Sequence, residues 1–404
     1  MKILVVCNRP AWPLFPGFQL RAGMTMAAIS ECAAVDVIQV LDRSPALLAV
    51  PPGLEKGVAE AVSVPNRRVP DALLRWTMSG LPMPMVKVHW GAASGVVADA
   101  VARNSYDLVW AIAGTAWPIV AGVASSQPVL LDLDDLENHK IRHRQAGQGL
   151  LPRSLSSAFF RVQDAVDRRR WDRVHADALT RCVGVTVCSA IDVARLNEER
   201  PAGSRAVVAA VPNGYVDPGV LQGPDDRDTV NPYLSFVGDL AYRPNAEAVE
   251  MLAEVMPRVR EQVPRARLRV VGNIPDGVGA RLAHPSIEFV GRVPDIRSEI
   301  LGATASVSPL RSGGGTRIKI LEAFAYGVAV VSTSVGAEGI DATPGTHLLV
   351  EDTVEHFAGA CVDVLCNAEL RARVASAGRR LYEANYTAEG VRAAVGRVLS
   401  AVTM

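Results

Sequence analysis

The chain has 404 residues, 49% hydrophobic and 21% charged, a globular composition that excludes a disordered or fibrous protein. That length exceeds what one hydrophobic core supports and suits two or three domains. Lys+Arg equals Asp+Glu at 42 each, so no global field recruits nucleic acid or an acidic membrane, and an anionic partner must meet locally placed cations.

The N-terminal MKILVVC reads as a buried strand, and the Asn8-Arg9-Pro10 that follows is not a signal-peptide cleavage site. A loop with Pro10, Pro13, Pro16 and Gly17 leads to a helix over about Arg21–Ala34 and then to strand VDVIQVL. The stretch from Leu74 to Trp90 mixes aromatic, Met and Pro residues and reads as a packed loop before a mobile lip. Leu108 to Leu131 carries no charge and is long enough to span a bilayer. Gly114-Thr115, Pro118, Ser125-Ser126-Gln127 and Pro128 divide it, however, into strand DLVWAI, a short helix and strand PVLLDL. Arg168-Arg169-Arg170 lies among Asp164, Asp167, Asp172 and Asp177, the pattern of a solvated helix face. Strands VTVCSA and VVAAVPNG complete a run of short apolar segments alternating with helices, the pattern of a parallel sheet covered on both faces.

Asn213–Pro232, dense in Gly, Pro and Asp, is the linker candidate. Beyond it the cycle restarts with YLSFVGDL, the helix NAEAVEMLAEVMPRVREQ, and strands ARLRVVGN and SIEFVGRV. ATASVSPL, the helix TRIKILEAFAYG, VAVVSTS and HLLVED follow, and the last forty residues are helical. The expected architecture is α/β, two doubly wound Rossmann-like domains over 1–217 and 218–386. A final helix over 387–404 is expected to pack back toward the first domain. Such a pair places a ligand in the cleft between the carboxyl ends of its sheets. The six cysteines form no CxxC pair, so neither a disulfide framework nor structural zinc is expected.

Chemistry concentrates in SGGGTRIKILEAFAYG, Ser312 to Gly327. Three consecutive glycines let backbone approach a ligand, and the N–H groups at a helix start favour phosphate oxygens. Arg317 and Lys319 add cations there, and Lys319 is one of only five lysines. On a helical wheel Glu322 falls at the margin of the apolar face, where a carboxylate needs a partner. A ribose diol is a suitable one, since an ionised carboxylate accepts two hydrogen bonds; an intrahelical pair with Lys319 is the plainer alternative.

PLRSGGGTRIKILEAFAYGVAVVSTSVGAEGI resembles the donor-binding signature of the group-1 (family 4-like) glycosyltransferases of GT-B fold. VVAAVPNGYVDP, FVGDLAYRPNAEAVEML, VTVCSAIDVARL and HLLVED extend the resemblance, continuously in the second domain and in patches in the first. The acidic strand end LDLDDLENHK brings it nearest to members associated with exopolysaccharide assembly. The resemblance implies two domains facing across a cleft and sugar transfer from a nucleotide-diphosphate donor, with retention of configuration and neither metal nor cofactor. Glu322 matches the second acid of the E-x7-E pattern, which holds the ribose, while the first acid is replaced by Gly314. Gly313, Gly314, Gly315 and Thr316 would cradle the diphosphate, and Arg317 and Lys319 would offset charge on the leaving nucleotide. Gly238, Arg243 and Asn245 match another diphosphate-facing loop; there Asp239 stands where a basic residue is usual, and Arg243 substitutes for it. Asn273 and Val293 match loops flanking the base.

In the first domain Gly17 and Arg21 match the glycine loop and helix near donor phosphate and acceptor. A histidine common after the strand equivalent to DLVWAI is replaced by Ala113-Gly114-Thr115. Asp134 and Asp135 are the remaining acids to contact an acceptor hydroxyl, or else to cap the next helix. Asp135 is the catalytic candidate, and His139 and Lys140 are expected to face solvent. Implied partners are a nucleotide sugar and an acceptor that is a glycan, a lipid-linked sugar or a small molecule. The implied location is cytoplasmic, with at most peripheral contact at the inner membrane face.

Two alternatives remain. LLDLDDLEN also resembles the nucleophile motif of haloacid-dehalogenase-like phosphatases, with Asp132 attacking phosphate, Asp134 as acid/base and Asp239 on a late metal motif. The motif's position in mid-chain, Leu136 and Arg243 all depart from that pattern. The other alternative, motivated by Gly314, is a protein that binds nucleotide sugar without turning it over.

Overall fold

The computed structural model describes residues 1–9, 17–41, 59–64, 66–146, 155–219 and 231–403. Pro10, Pro13 and Pro16 of the N-terminal loop and residues 220–230 of the linker candidate lie outside them. The chain divides into two compact units, Met1–Gly214 with Ala388–Met404, and Tyr215–Thr387.

The first unit is built on strands β1 (Lys2–Cys7), β2 (Ala34–Leu41), β3 (Ala59–Ser63), β4 (Leu108–Ile112), β5 (Val129–Asp134), β6 (Gly184–Val187) and β7 (Val207–Ala210). They lie in the order β3-β2-β1-β4-β5-β6-β7, every pair parallel. Continuous apolar runs such as Ile3–Cys7 and Leu108–Ile112 are fully buried because helices cover both faces of the sheet. The chargeless stretch from Leu108 to Leu131 is therefore β4, a short helical turn and β5, and no helix among the described residues is long and apolar enough to cross a membrane. The helix Ala388–Thr403 belongs to this unit: Val391 and Met24 crowd Gly214, and Arg392 pairs with Glu31 at 2.6 Å.

The second unit carries β8 (Tyr233–Val237), β9 (Arg267–Val271), β10 (Ile287–Gly291), β11 (Ala305–Ser308), β12 (Val330–Ser332) and β13 (Leu349–Val350). Their order is β10-β9-β8-β11-β12-β13, again all parallel. Leu234, Phe236, Leu268, Val307 and Val331 meet Val249, Leu252 and Phe357 of the covering helices in one core. Both sheets reverse direction once, between β1 and β4 and between β8 and β11. Loops leaving the carboxyl ends diverge there and open a crevice.

Two local expectations fail. Leu74 to Trp90 is not a loop: it runs through the helices Val69–Ser79 and Met83–Val86, because Trp76, Met83 and Val86 form a satellite core. Nor is Arg170 solvated; it stacks 4.6 Å over the Trp76 ring and donates to the carbonyls of Trp76 and Leu81. All six cysteines are free thiols, four buried and two exposed.

The first sheet is cross-braced by one buried cation. Arg21, on the helix Phe18–Cys32, is 2% exposed and forks onto Asp132 at 2.6 and 2.8 Å, and it also donates to Val211 O and Asn213 Oδ1. Removing one partner of such a pair leaves an uncompensated buried charge, at a cost of about 3–5 kcal/mol. Arg21→Met is expected to destabilise the first unit by about that amount, and Arg21→Met/Asp132→Leu to recover part of it. All six tryptophans fall within residues 1–214, so urea unfolding followed by tryptophan fluorescence reads this unit alone.

Candidate functional site

In the second unit the loops after β8 and β11 bring together most of the sequence candidates. The turn after β8 begins at Gly238, where a Cβ would stand 2.9 Å from the Asn245 amide. Across it Gly272, at φ +135°, approaches so closely that a Cβ would lie 2.2 Å from Gly238 O. This tight packing fixes Asn245, which is buried, donates Nδ2 to Asp239 O at 2.9 Å and accepts from Lys319 Nζ at 2.9 Å.

Lys319 lies in the first turn of the helix Ile318–Ala325, whose start has no side-chain cap. Its ammonium sits 4.0 Å from the centroid of the Phe236 ring, on the end of β8. Burial, with Arg317 adding repulsion and Glu322 only partly offsetting it, brings its pKa down to about 7. Arg317 folds back onto Gly314 O and donates to Val335 O at 3.2 Å, while its Nε is buried without a partner. Gly313 (φ +127°) and Gly315 (φ +69°) adopt backbone that other residues rarely reach, and a Cβ on Gly313 would press on the Arg317 guanidinium. Thr316 closes the bend onto Gly339 O at 3.2 Å.

Glu322 is 3% exposed. The partner its position demands is Tyr215, whose hydroxyl donates to Oε1 at 2.5 Å, while the Lys319 ammonium is held by Asn245. Burial raises the Glu322 carboxyl to about 7 against the pull of Tyr215 and Lys319. Tyr215 is itself fixed through its backbone, donating to Tyr386 O and accepting from Tyr382. Nothing local in the sequence marks Tyr215; the only signal is that an apolar-face glutamate needs a donor.

Three further candidates lie outside the Lys319–Asn245 contact itself. Arg243 is exposed and bound to Glu247 at 2.6 Å, an i,i+4 pair, and Glu247 in turn accepts from Ser312 Oγ at 3.3 Å beside the glycine bend. Asn273 turns to Asp239, donating to its carboxylate at 2.9 Å. Val293 is half-buried beyond β10, the edge strand.

The first unit has its own crevice between β1 and β4. Gly17 (φ +98°) starts the helix that carries Arg21, but Arg21 is a brace and not a free cation. Asp132 is 1% exposed and also accepts from Thr186 at 2.8 Å, so it is no available nucleophile, which removes the basis of the phosphatase alternative. A cavity here is bounded by Arg9, Ala113, Asp134, Asp135, Lys140 and His175, among others. Asp135 reaches Lys140 Nζ at 2.5 Å, and Glu137 reaches it at 2.9 Å. Burial raises the Asp135 carboxyl; Lys140 pulls it down, and Asp134 and Glu137 push it up again. Lys140 is thus paired and half-buried, and His139 is held by Glu199 at 3.2 Å, so neither simply faces solvent. Asp134 (φ +66°), at an irregularity in the β5–β6 register, and Ala113 (φ +77°) are the two non-glycine residues with positive φ among those described. Each costs of order 1–3 kcal/mol, and such strain clusters at ligand sites.

Residues 231–367 match the family described as Glycosyl transferases group 1. An uncharacterized 44.6 kDa protein in the cps region of Klebsiella pneumoniae is 24% identical over 177 residues, 41% of this chain and 46% of that protein. A GDP-mannose-dependent monoacylated alpha-(1-6)-phosphatidylinositol monomannoside mannosyltransferase of Corynebacterium glutamicum is 30% identical over 153 residues, 35% of this chain and 40% of that one. The chain thus spans less than half the length of these curated relatives. Among solved structures, sucrose-phosphate synthase from Thermosynechococcus elongatus superposes with TM-score 0.71 at 16% identity, over 99% of this chain and 98% of that one. Anabaena HepE in complex with UDP and glucose gives 0.66 at 15% identity, over 99% of both chains. At those identities the likeness is one of fold, and the fold is GT-B.

The Glu322–Tyr215 contact makes a prediction about stability. Because the folded carboxyl titrates near 7 against an ordinary value of 4.5, the native state holds a proton there that the unfolded chain has lost. Stability of the second unit is expected to fall as pH rises from 4.5 to 7, relative to Glu322→Gln. Tyr215→Phe removes the donor that favours the ionised form, so the fall should extend to higher pH. Thermal unfolding followed by circular dichroism across pH checks both; parallel curves for the wild type and Glu322→Gln would contradict the assignment.

Proposed function

We propose that this protein, whose second unit carries a Glycosyl transferases group 1 domain on a GT-B fold, transfers a sugar from a nucleotide-diphosphate donor to an acceptor hydroxyl, with retention of configuration and without a metal. The observation that carries this reading is Lys319, a cation held by a neutral amide and an aromatic face beside the triple-glycine bend. A pyrophosphate supplies the missing counter-charge. Its oxygens meet Lys319 Nζ, Arg317 and the backbone amides of Gly313 to Thr316 and of the uncapped helix start. As the glycosidic bond to phosphate breaks, negative charge grows on the leaving diphosphate, and these fixed donors stabilise it more than the ground state. Glu322, once ionised, accepts the two ribose hydroxyls. Gly238 and Asn245 keep the Lys319 ammonium in place, and Asn273 and Val293 border the base. Asp135, raised by burial and tethered to Lys140, contacts the attacking acceptor hydroxyl in the first unit.

The cps-region relative supports a glycan acceptor of the exopolysaccharide type, and the names of the mannosyltransferase and HepE make GDP- and UDP-sugars the donors to test first. The reaction is assigned to the cytoplasm, with any membrane contact peripheral. Gly314, where the related pattern has an acid, favours a second reading in which the nucleotide sugar binds without turnover. Donor binding with no sugar transfer to water or to any acceptor would select it.

Lys319→Ala and Glu322→Ala are each expected to lower kcat/KM for the donor at least tenfold, about 1.4 kcal/mol of transition-state stabilisation. Unchanged kinetics in both folded variants would overturn the site. Treatment with EDTA should leave the rate unchanged, and the product anomer read by NMR should match the donor. At pH 8 Lys319 is largely neutral in the free protein and charges when pyrophosphate binds, so binding takes up a proton. Calorimetry of UDP-glucose or GDP-mannose binding in buffers of different ionisation enthalpy should show this uptake, and Lys319→Gln should abolish it.

A further inference from the structure

One buried group beside the first-unit cavity takes no part in the chemistry above. His175, on the helix Leu155–Arg181, is 2% exposed, and neither Nδ1 nor Nε2 has a hydrogen-bond partner. Leaving both nitrogens of a buried imidazole unpaired is costly, and such groups in a native structure point to an unmet partner. Nearby acids do not serve: Asp172 and Glu199 bond Asn138, Glu199 also bonds His139, and Glu137 bonds Lys140. Burial drops the ring to about 4 although Glu199, Asp172 and Glu137 pull upward, so it is neutral near pH 7 and offers one donor and one acceptor.

The surroundings specify what would pair with it. The ring lines the same cavity as the strained Ala113 and Asp134. One turn before it, Trp171 presents an aromatic wall, with its ring 5.8 Å from that of His175 and packed near Leu133 and Gly114. Three carboxylates, Asp134, Asp135 and Glu137, outnumber the two cations, Lys140 and Arg9, in the lining. Lys140 is already shared by Asp135 and Glu137. An anionic group is therefore repelled, while a hydroxyl-rich ring with an apolar face finds donors, acceptors and an aromatic surface together.

We infer that His175 contacts the acceptor, one ring nitrogen hydrogen-bonding a hydroxyl of an uncharged sugar, and that the cavity selects neutral glycosides over uronates and sugar phosphates. This rests on the glycosyl-transfer reading for its place in a reaction, but not for the binding contact itself.

The test uses the full chain with histidine rings labelled by 15N. Of its seven histidines, His175 is assigned by the signals lost in His175→Phe, or in His175→Gln if the first variant does not fold. Addition of octyl mannoside or octyl glucoside is expected to shift the His175 ring nitrogens, whereas methyl glucuronide and mannose 6-phosphate should not. In turnover with the same neutral glycosides as acceptors, His175→Phe should raise the acceptor KM at least tenfold and be partly rescued by His175→Asn. Absence of any ring shift with the neutral glycosides overturns the inference, as does a folded His175→Phe with unchanged acceptor KM, even if its melting point falls. Should the wild type turn over no nucleotide sugar, the transfer reading fails while a ring shift with neutral glycosides still supports the contact.

Discussion

The proposed chemistry depends on a buried amine with no carboxylate bonded to it, a group that an incoming anion would charge. Lys319 could have been neutralised by Glu322 one turn along, yet its ammonium is given to the amide oxygen of Asn245 and the face of Phe236, and Glu322 is given to Tyr215. That separation leaves two groups whose ordinary charges are both disfavoured by burial. A folded protein keeps such an arrangement when something else completes it. The glycine bend beside it is shaped to let that something approach: Gly313 and Gly315 hold backbone that a side chain would forbid, and Gly272 and Gly238 interlock to fix Asn245.

The first unit makes an instructive contrast, because nearly the same topology handles a buried cation in the opposite way. Arg21 is fully satisfied by Asp132, Val211 and Asn213. It joins a helix to β5 and to the segment that follows β7, and leaves no charge for a ligand. Polar capacity in that unit lies instead in the cavity beside it, where Asp134 and Ala113 are strained and His175 is unpaired.

Much of this was legible in the sequence, for reasons that differ by residue. Short apolar strands alternating with helices require a parallel sheet, so both doubly wound units and the strand–helix parse of Leu108 to Leu131 followed from periodicity alone. The bend at Gly313–Gly315 with Arg317, Lys319 and Glu322 was readable because its residues are contiguous. Contacts between distant segments were not. Tyr215 and His175 reach their places through tertiary packing and carry no local signature. Arg170 and Lys140 misled because charge-rich segments look solvated until the aromatic ring or the carboxylates they meet are known.

The most direct test is a crystal structure of the protein with UDP-glucose or GDP-mannose bound. Pyrophosphate oxygens are expected within hydrogen-bonding distance of Lys319 Nζ and of backbone amides between Gly313 and Ile318, with the ribose on Glu322. Pyrophosphate bound elsewhere, with Lys319 still on Asn245 and the glycine bend unoccupied, would contradict it.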